Sequence, residues 1–399
     1  MLMLRQPALW GAWMLAILFI LVAPHITPGW VLSLVVILFS CILFLIPETH
    51  YASISLIIIA ALYGTGWLPL FIFLSTVAIM VTGELAFRTI GESSYGYVAY
   101  TLAGIVSSFV VMLYLGHIVP LIALLGIIVA VMLKSALMKR TDLLLIEGLG
   151  VAMTMYFFDQ LHYQVELDLL LLAVIMALAF GIIAKKLGAA DMSGLFSGAL
   201  LGVILVVFAD VRWFFIMLLF FVMGSVATKY KYREKAASGS AQAHGGVRGY
   251  FNVFANGLVG VSAAILFGLT RHPMFTAMYL GAVATAAADT VAGEIGMTCS
   301  TPFLITTGER VSIGTNGGVT AIGEIAGLVA SFAIVALALI MEVSSLPMML
   351  ICGISGFLGT NVDSLIGATI ENRGLIGNAG TNLLATLFGG LFAMLFFIV

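Results

Sequence analysis

The sequence predicts an all-α, polytopic integral membrane protein with about fifteen (13–15) transmembrane helices and a cytoplasmic N-terminus. Three observations carry that expectation. Of the 399 residues, 62% are hydrophobic and 9% are charged, where soluble domains carry about 25% charged residues. Mean hydropathy is +1.21. The apolar residues also fall into runs near the ~20 residues a helix needs to cross lipid. These figures exclude an ordinary soluble enzyme and a polar, disordered chain. A nucleic-acid binder is excluded as well, since it needs a basic excess and the formal net charge here is −2.

In chain order the candidate spans are roughly 7–23, 30–46, 52–66, 67–86, 97–115, 118–134, 143–158, 167–184, 193–209, 211–228, 251–269, 274–292, 319–341, 346–366 and 380–398. The first follows Arg5 and lacks a small-residue cleavage site, so it reads as a retained helix rather than a signal peptide. The third is short and bounded by Gly64-Thr65-Gly66, which leaves a re-entrant segment open. With Arg5 inside, alternation places Arg88, Lys134, Lys139, Arg140, Lys185, Lys186 and the run Lys229–Arg248 inside as well. Only Arg212 and Arg271 of the sixteen basic residues then fall outside, as the positive-inside rule asks.

Two regions differ in character. Residues 1–166 form an N-terminal bundle with short loops and scattered polar groups. Residues 167–399 form a C-terminal module with three substantial cytoplasmic loops, Lys229–Tyr250, Gly293–Gly318 and Gly367–Gly380. The three cysteines, Cys41, Cys299 and Cys352, form no CxxC pair and read as small apolar residues.

The first loop carries Lys229, Lys231, Arg233, Lys235 and Arg248 against one acid, Glu234. It reads either as a topogenic, headgroup-binding patch or as a cationic clamp for the phosphates of a nucleotide or lipid. Its Gly-, Ser- and Ala-rich stretch 236–246 has the composition of a flexible closure. Asp289 follows the small-residue run Ala284-Thr-Ala-Ala-Ala in an apolar helix. An acid there is a metal or proton site, or a structural group held by a partner. The stretch Arg310-Val-Ser-Ile-Gly314-Thr-Asn-Gly-Gly318 precedes a further helix. It is either a turn or a backbone N–H cradle for phosphate oxygens.

A second copy of this pattern follows. Asp289-Thr-x-x-Gly293 matches Asp363-Ser-x-x-Gly367, and Arg310-x-x-Ile-Gly314-Thr-x-Gly317 matches Arg373-x-x-Ile-Gly377-Asn-x-Gly380. A parallel repeat would bring two carboxylates and two N–H-rich turns to one cytoplasmic mouth. That is a setting for Mg²⁺, which takes one or two protein carboxylates and completes its shell with phosphate oxygens and water.

Five segments carry a family resemblance: Arg248…Val253-Phe-Ala-Asn256-Gly257, Ala288-Asp289-Thr-x-Ala-x-Glu294-Ile-Gly296, Gly314-Thr-Asn-Gly-Gly318-Val, Asp363-Ser-Leu-Ile-Gly-Ala368 and Asn382. Over roughly residues 170–399 the chain resembles the integral membrane family that contains plant phytyl-phosphate kinase and vertebrate transmembrane protein 19. It departs from that pattern at Gly377-Asn-Ala-Gly-Thr-Asn382, where paired asparagines are usual. A more distant likeness links it to CTP-using polyprenol kinases and phosphatidate cytidylyltransferases.

The resemblance implies a membrane kinase that converts an isoprenoid monophosphate to a diphosphate, with CTP or ATP as donor and Mg²⁺ as cofactor. It implies functional roles for Arg248, Asn256, Asp289, Glu294, Thr315, Asn316, Asp363 and Asn382. On this reading Asp289 and Asp363 (with Glu294) hold the metal, and Arg310 joins the two Asp residues in the reaction centre. Nucleotide phosphates meet Gly314, Thr315, Asn316, Gly317 and Gly318, together with Lys229, Lys231, Lys235 and Arg248. The partners are then the bilayer and the isoprenoid phosphate, in a multi-pass cell-membrane protein with its active face cytoplasmic. None of the six histidines except His244 falls in these segments, and attack by a phosphate oxygen needs no dedicated base. A secondary transporter with intramembrane acids is the alternative, and a non-catalytic lipid-binding protein is a third reading.

Overall fold

The computed structural model describes residues 6–298 and 301–398, apart from 238 and 240. Arg5 and Cys299 lie outside the described residues. The protein is an all-α polytopic membrane protein. It divides into two compact units, Met1–Leu167 and Asp168–Val399.

The first unit contains α1 (Gln6–Val22), α2 (Gly29–Leu43), α3 (His50–Gly64), α4 (Leu70–Ile90), α5 (Ser94–Leu115), α6 (Pro120–Leu137) and α7 (Leu143–Gln160). The second contains α8 (Leu167–Lys186), α9 (Met192–Phe208), α10 (Val211–Lys229), the short α11 (Tyr232–Ala237), α12 (Tyr250–Thr270), α13 (Pro273–Gly296), α14 (Ala321–Ile340), α15 (Leu346–Ile366) and α16 (Asn378–Leu395). A π-helical turn, Gly367–Glu371, prolongs α15.

Among the described residues, eleven helices are long and apolar enough to cross a membrane, while α1, α2, α3 and α9 are shorter apolar helices. In lipid every backbone N–H and C=O must be satisfied within the segment, which is why such apolar runs become helices. Their starts are set by local chemistry. Asp191 accepts from the Gly194 N–H at 2.8 Å and Thr320 from Gly323 at 3.1 Å, and Pro120 and Pro273 open α6 and α13.

A buried polar network ties the first unit together. Glu84 on α4 pairs with Lys134 on α6 and with Arg88 one turn along its own helix. Tyr100 on α5 donates its hydroxyl to Glu147 on α7.

In the second unit α13 is the central helix, packed against α10, α12, α14, α15 and α16. Its small residues allow that crowding. A methyl group at Gly356 or Gly359 of α15 would collide with Ala284 or Thr285. One at Gly389 of α16 would meet Thr285, and one at Gly327 of α14 would meet the Ala288 carbonyl at 3.1 Å. Backbones that approach this closely give van der Waals contact that lipid cannot replace. The antiparallel alternation then gathers the ends of α13 and α15 with the starts of α12, α14 and α16 at one end of the unit.

Candidate functional site

Asp289 lies two turns before the end of α13, and Asp363 one turn before the end of α15. Because Gly356 and Gly359 let α15 press onto α13, the two carboxyl groups come side by side, close enough to act on one another. Thr360, one turn before Asp363, places its hydroxyl on the same side as Asp289, close enough to act on its carboxyl group. Glu371 stands close enough to act electrostatically on both. Among the described residues no basic side chain is ion-paired with either Asp. Two carboxylates this close share a proton or need a cation between them.

The Gly-rich turn packs beside this pair. A methyl at Gly317 would strike Ala368 and the Ser364 carbonyl, and the Asn372 amide donates to the Asn316 carbonyl at 3.3 Å. Gly314 and Gly317 adopt φ of +87° and +78°, a left-handed region that favours glycine. Two-residue strands β1 (Phe303–Leu304) and β2 (Gly318–Val319) close the loop as an antiparallel hairpin. Among the described residues the N–H groups of Asn316 and Gly317 have no backbone acceptor, so the turn presents free donors of the kind that cradle anions.

Orphaned acceptors mark the same end of the unit. Oδ2 of Asp363, Oδ1 of Asn382 near the start of α16 and Oδ1 of Asn256 near the start of α12 are buried without a hydrogen-bond partner. All are hard oxygens, the donor type that Mg²⁺ takes. No group of three or more His, Cys, Asp or Glu among the described residues is arranged to cage a metal.

The remaining sequence-derived residues are elsewhere. Glu294 is buried, accepts from Thr228 at 3.1 Å and pairs with Lys235, so it does not join the Asp pair. The Lys235 ammonium also donates to the carbonyls of Ala227 at 3.1 Å and Thr228 at 2.9 Å, capping the end of α10. It is thereby occupied inside the protein rather than presented to a phosphate. Lys229 is exposed and donates to the Leu187 carbonyl at 3.0 Å, while Lys231 pairs with Glu234 at 3.3 Å. Arg310 lies on the exposed hairpin with its guanidinium over Phe303, 5.8 Å from the ring centre. Arg248 is buried, over the rings of Phe220 and Phe221 at 5.2 and 5.3 Å. Burial pushes its guanidinium down to about 10, partly offset by Glu294.

Sequence reasoning passed over Thr360 and Glu371. Thr360 stands one turn before Asp363 on the same face of α15, so helical spacing points to it, whereas Glu371 lies beyond α15 at the end of the π-helical turn, in a stretch that reads as loop in the sequence.

The sequence profile of the integral membrane protein family DUF92 matches residues 175–390. That stretch lies inside the region that carries the motif resemblance. The uncharacterized membrane protein MJ0933 of Methanocaldococcus jannaschii is 30% identical over 232 residues, covering 57% of this chain and 94% of that protein. The uncharacterized membrane protein sll0875 of Synechocystis is 33% identical over 177 residues, 43% of this chain and 69% of its own. The chloroplastic protein VTE6 of Arabidopsis thaliana is 30% identical over 166 residues, 40% of this chain and 50% of its own. No solved structure matches.

Proposed function

This chain belongs to the integral membrane protein family DUF92, and from that premise we propose that it is a prenyl-phosphate kinase. It would move a phosphoryl group from CTP or ATP to an isoprenoid monophosphate at the end of the C-terminal unit where Asp289 and Asp363 meet. The observation that carries the reading is the contact of these two acids beside a Gly-rich turn with free N–H groups. Acids and anion-binding donors side by side suit a metal–nucleotide complex better than either would alone. The motif resemblance to the family of plant phytyl-phosphate kinase supplies the substrate class.

Asp289 and Asp363 would hold Mg²⁺, with Asn382 Oδ1 as a further oxygen, while nucleotide phosphates complete the shell. When bound, the metal neutralises charge on the transferring phosphoryl group. The N–H groups of Asn316 and Gly317 would hold phosphate oxygens of the donor nucleotide. An oxygen of the lipid monophosphate attacks the γ-phosphorus, a new P–O–P link forms, and the bond from the γ-phosphorus to its bridging oxygen breaks. The electron pair leaves with the nucleoside diphosphate. The nucleophile is already an anion, so positioning and charge neutralisation supply the rate. The end of the unit that bears these groups would face the cytoplasm, where the nucleotide is.

The test is purified full-length protein with geranylgeranyl or phytyl monophosphate, Mg²⁺ and γ-labelled CTP or ATP. The reading expects labelled lipid diphosphate. Failure of every nucleotide and prenyl phosphate pair to give it would remove the proposal.

A further inference from the structure

We propose that Glu147 is a proton-binding site in the core of the N-terminal unit, and that Lys134 balances its charge when the proton leaves. Every group involved lies within that unit, so the inference stands apart from the kinase reading.

Glu147 has no exposed surface. Tyr100, also fully buried, donates its hydroxyl to Oε1, and Oε2 has no hydrogen-bond partner. No base among the described residues is ion-paired with Glu147. The other acid of the cluster is placed differently. Glu84 gives one oxygen to Arg88 and the other to Lys134, so two cations hold it as a carboxylate. A buried carboxylate with one donor and no paired cation is costly, and a proton on Oε2 removes the charge.

The charges around it do not keep that proton in place permanently. With Glu147 ionised, the two acids balance Lys134 and Arg88, yet Glu147 lacks a partner of its own. With Glu147 protonated, one positive charge is left over. The Arg88 side chain is 21% exposed, against 2% for Lys134, so water screens part of that excess. Each state leaves one electrostatic demand unmet, which suits a group that exchanges its proton inside a membrane.

Lys134 is positioned to serve both states. Its ammonium has three donors. Among the described residues it uses one of them, on Glu84, and rests 4.9 Å from the centre of the Phe87 ring. It stands close enough to Glu147 to act on it electrostatically. Glu84 keeps Arg88 if Lys134 turns away. Lys134 on α6 can therefore move between Glu84 on α4 and Glu147 on α7 without stranding either acid.

The surrounding helices add no further charge. Tyr100 of α5 lies with its ring against Gly83, beside Glu84. The helix α3 carries no Asp, Glu, Lys or Arg, and its His50, Tyr51 and Tyr63 lie towards its ends. It supplies Ser55 instead. A methyl on Gly148, the residue after Glu147, would strike that hydroxyl, which is buried and has no partner. Glu147 is in the second turn of α7 and Lys134 in the last turn of α6. A proton thus has only one or two turns to cross, and the Arg88 side chain is the exposed edge of the network.

The experiment is infrared difference spectroscopy of the full-length protein in liposomes, acid minus base, between about pH 5 and about pH 9. A carboxyl C=O band should appear on acidification in the wild type and be missing from Glu147→Gln, with its midpoint inside that range. Asp289, Asp363 and the other acids are common to both proteins and cancel in the comparison. Tyr100→Phe removes the only donor to the carboxylate and should raise the midpoint by about one pH unit. Lys134→Met removes the balancing cation and should raise it further, or keep the band at every pH tested. Size-exclusion elution checks the folding of each variant. Lys134→Gln, which retains a hydrogen-bond donor, carries the same expectation if Lys134→Met does not fold.

Identical difference spectra for the wild type and Glu147→Gln overturn the site, since Glu147 would then never change its protonation. A midpoint unmoved by loss of the Lys134 charge overturns the balancing role.

Discussion

The carboxyl groups of Asp289 and Asp363 lie side by side across the α13–α15 interface, and no basic residue among the described ones is ion-paired with either. Two acids so placed must share a proton or hold a cation between them, and without a cation keeping one of them protonated costs free energy above its ordinary titration range. Asp363→Asn should therefore raise the thermal stability of the metal-free protein by about 1 kcal/mol or more. The same change should lower diphosphate formation at least about a hundredfold, since it removes charge aimed at the reacting phosphate. Melting curves in EDTA beside turnover in Mg²⁺ check both halves, and a variant that is less stable yet active would refute the argument.

Metal should act on stability through the same pair. Mg²⁺ at a hundred times its dissociation constant is expected to stabilise the wild type by about 2.7 kcal/mol. Asp289→Asn should show little of that response. Thermal melts across a Mg²⁺ titration measure it, and equal shifts in both proteins would place the metal elsewhere.

Lys235 and Glu294 have a structural task. Both are buried, and the pair links the short helix α11 to the end of α13. Lys235→Met alone should cost about 3–5 kcal/mol because it strands a buried carboxylate. Combining it with Glu294→Leu should return most of that loss, as replacing a whole buried ion pair by apolar groups often does. Denaturant unfolding of the two single variants and the double one gives the comparison.

Gly317 tests the turn. At φ +78°, and with the backbone N of Ala368 2.6 Å from where a methyl would sit, Gly317→Ala has both a strained conformation and a backbone collision. The left-handed conformation alone costs about 1–2 kcal/mol. The displaced turn should raise the nucleotide KM about tenfold, one lost hydrogen bond's worth, while the KM for the lipid moves little. Steady-state kinetics with each substrate varied in turn separates the two.

Much of this was legible in the sequence, for a physical reason. A helix in lipid must be apolar along its length, so spans announce themselves, and the described helices apart from the short α11 fall where the fifteen candidate stretches lie. The pairing of Asp289 with Asp363 was legible because the two halves repeat the same short pattern. Lys235 was not. In sequence it is one base in a run of them, and nothing local shows that its ammonium turns inward to cap α10 and meet Glu294. Buried pairs between distant residues leave no periodic trace. The network of Glu84 and Lys134, and that of Tyr100 and Glu147, were missed for the same reason.

The most direct measurement on the central claim replaces one proposed metal ligand by a softer one. In Asp363→Cys, diphosphate formation is followed with Mg²⁺ and then with Cd²⁺, which prefers thiolate where Mg²⁺ prefers oxygen. The account predicts that the variant is inactive with Mg²⁺ and regains turnover with Cd²⁺, while the wild type favours Mg²⁺. Full activity of Asp363→Cys with Mg²⁺, or a loss that no metal restores, would contradict a metal held by Asp289 and Asp363.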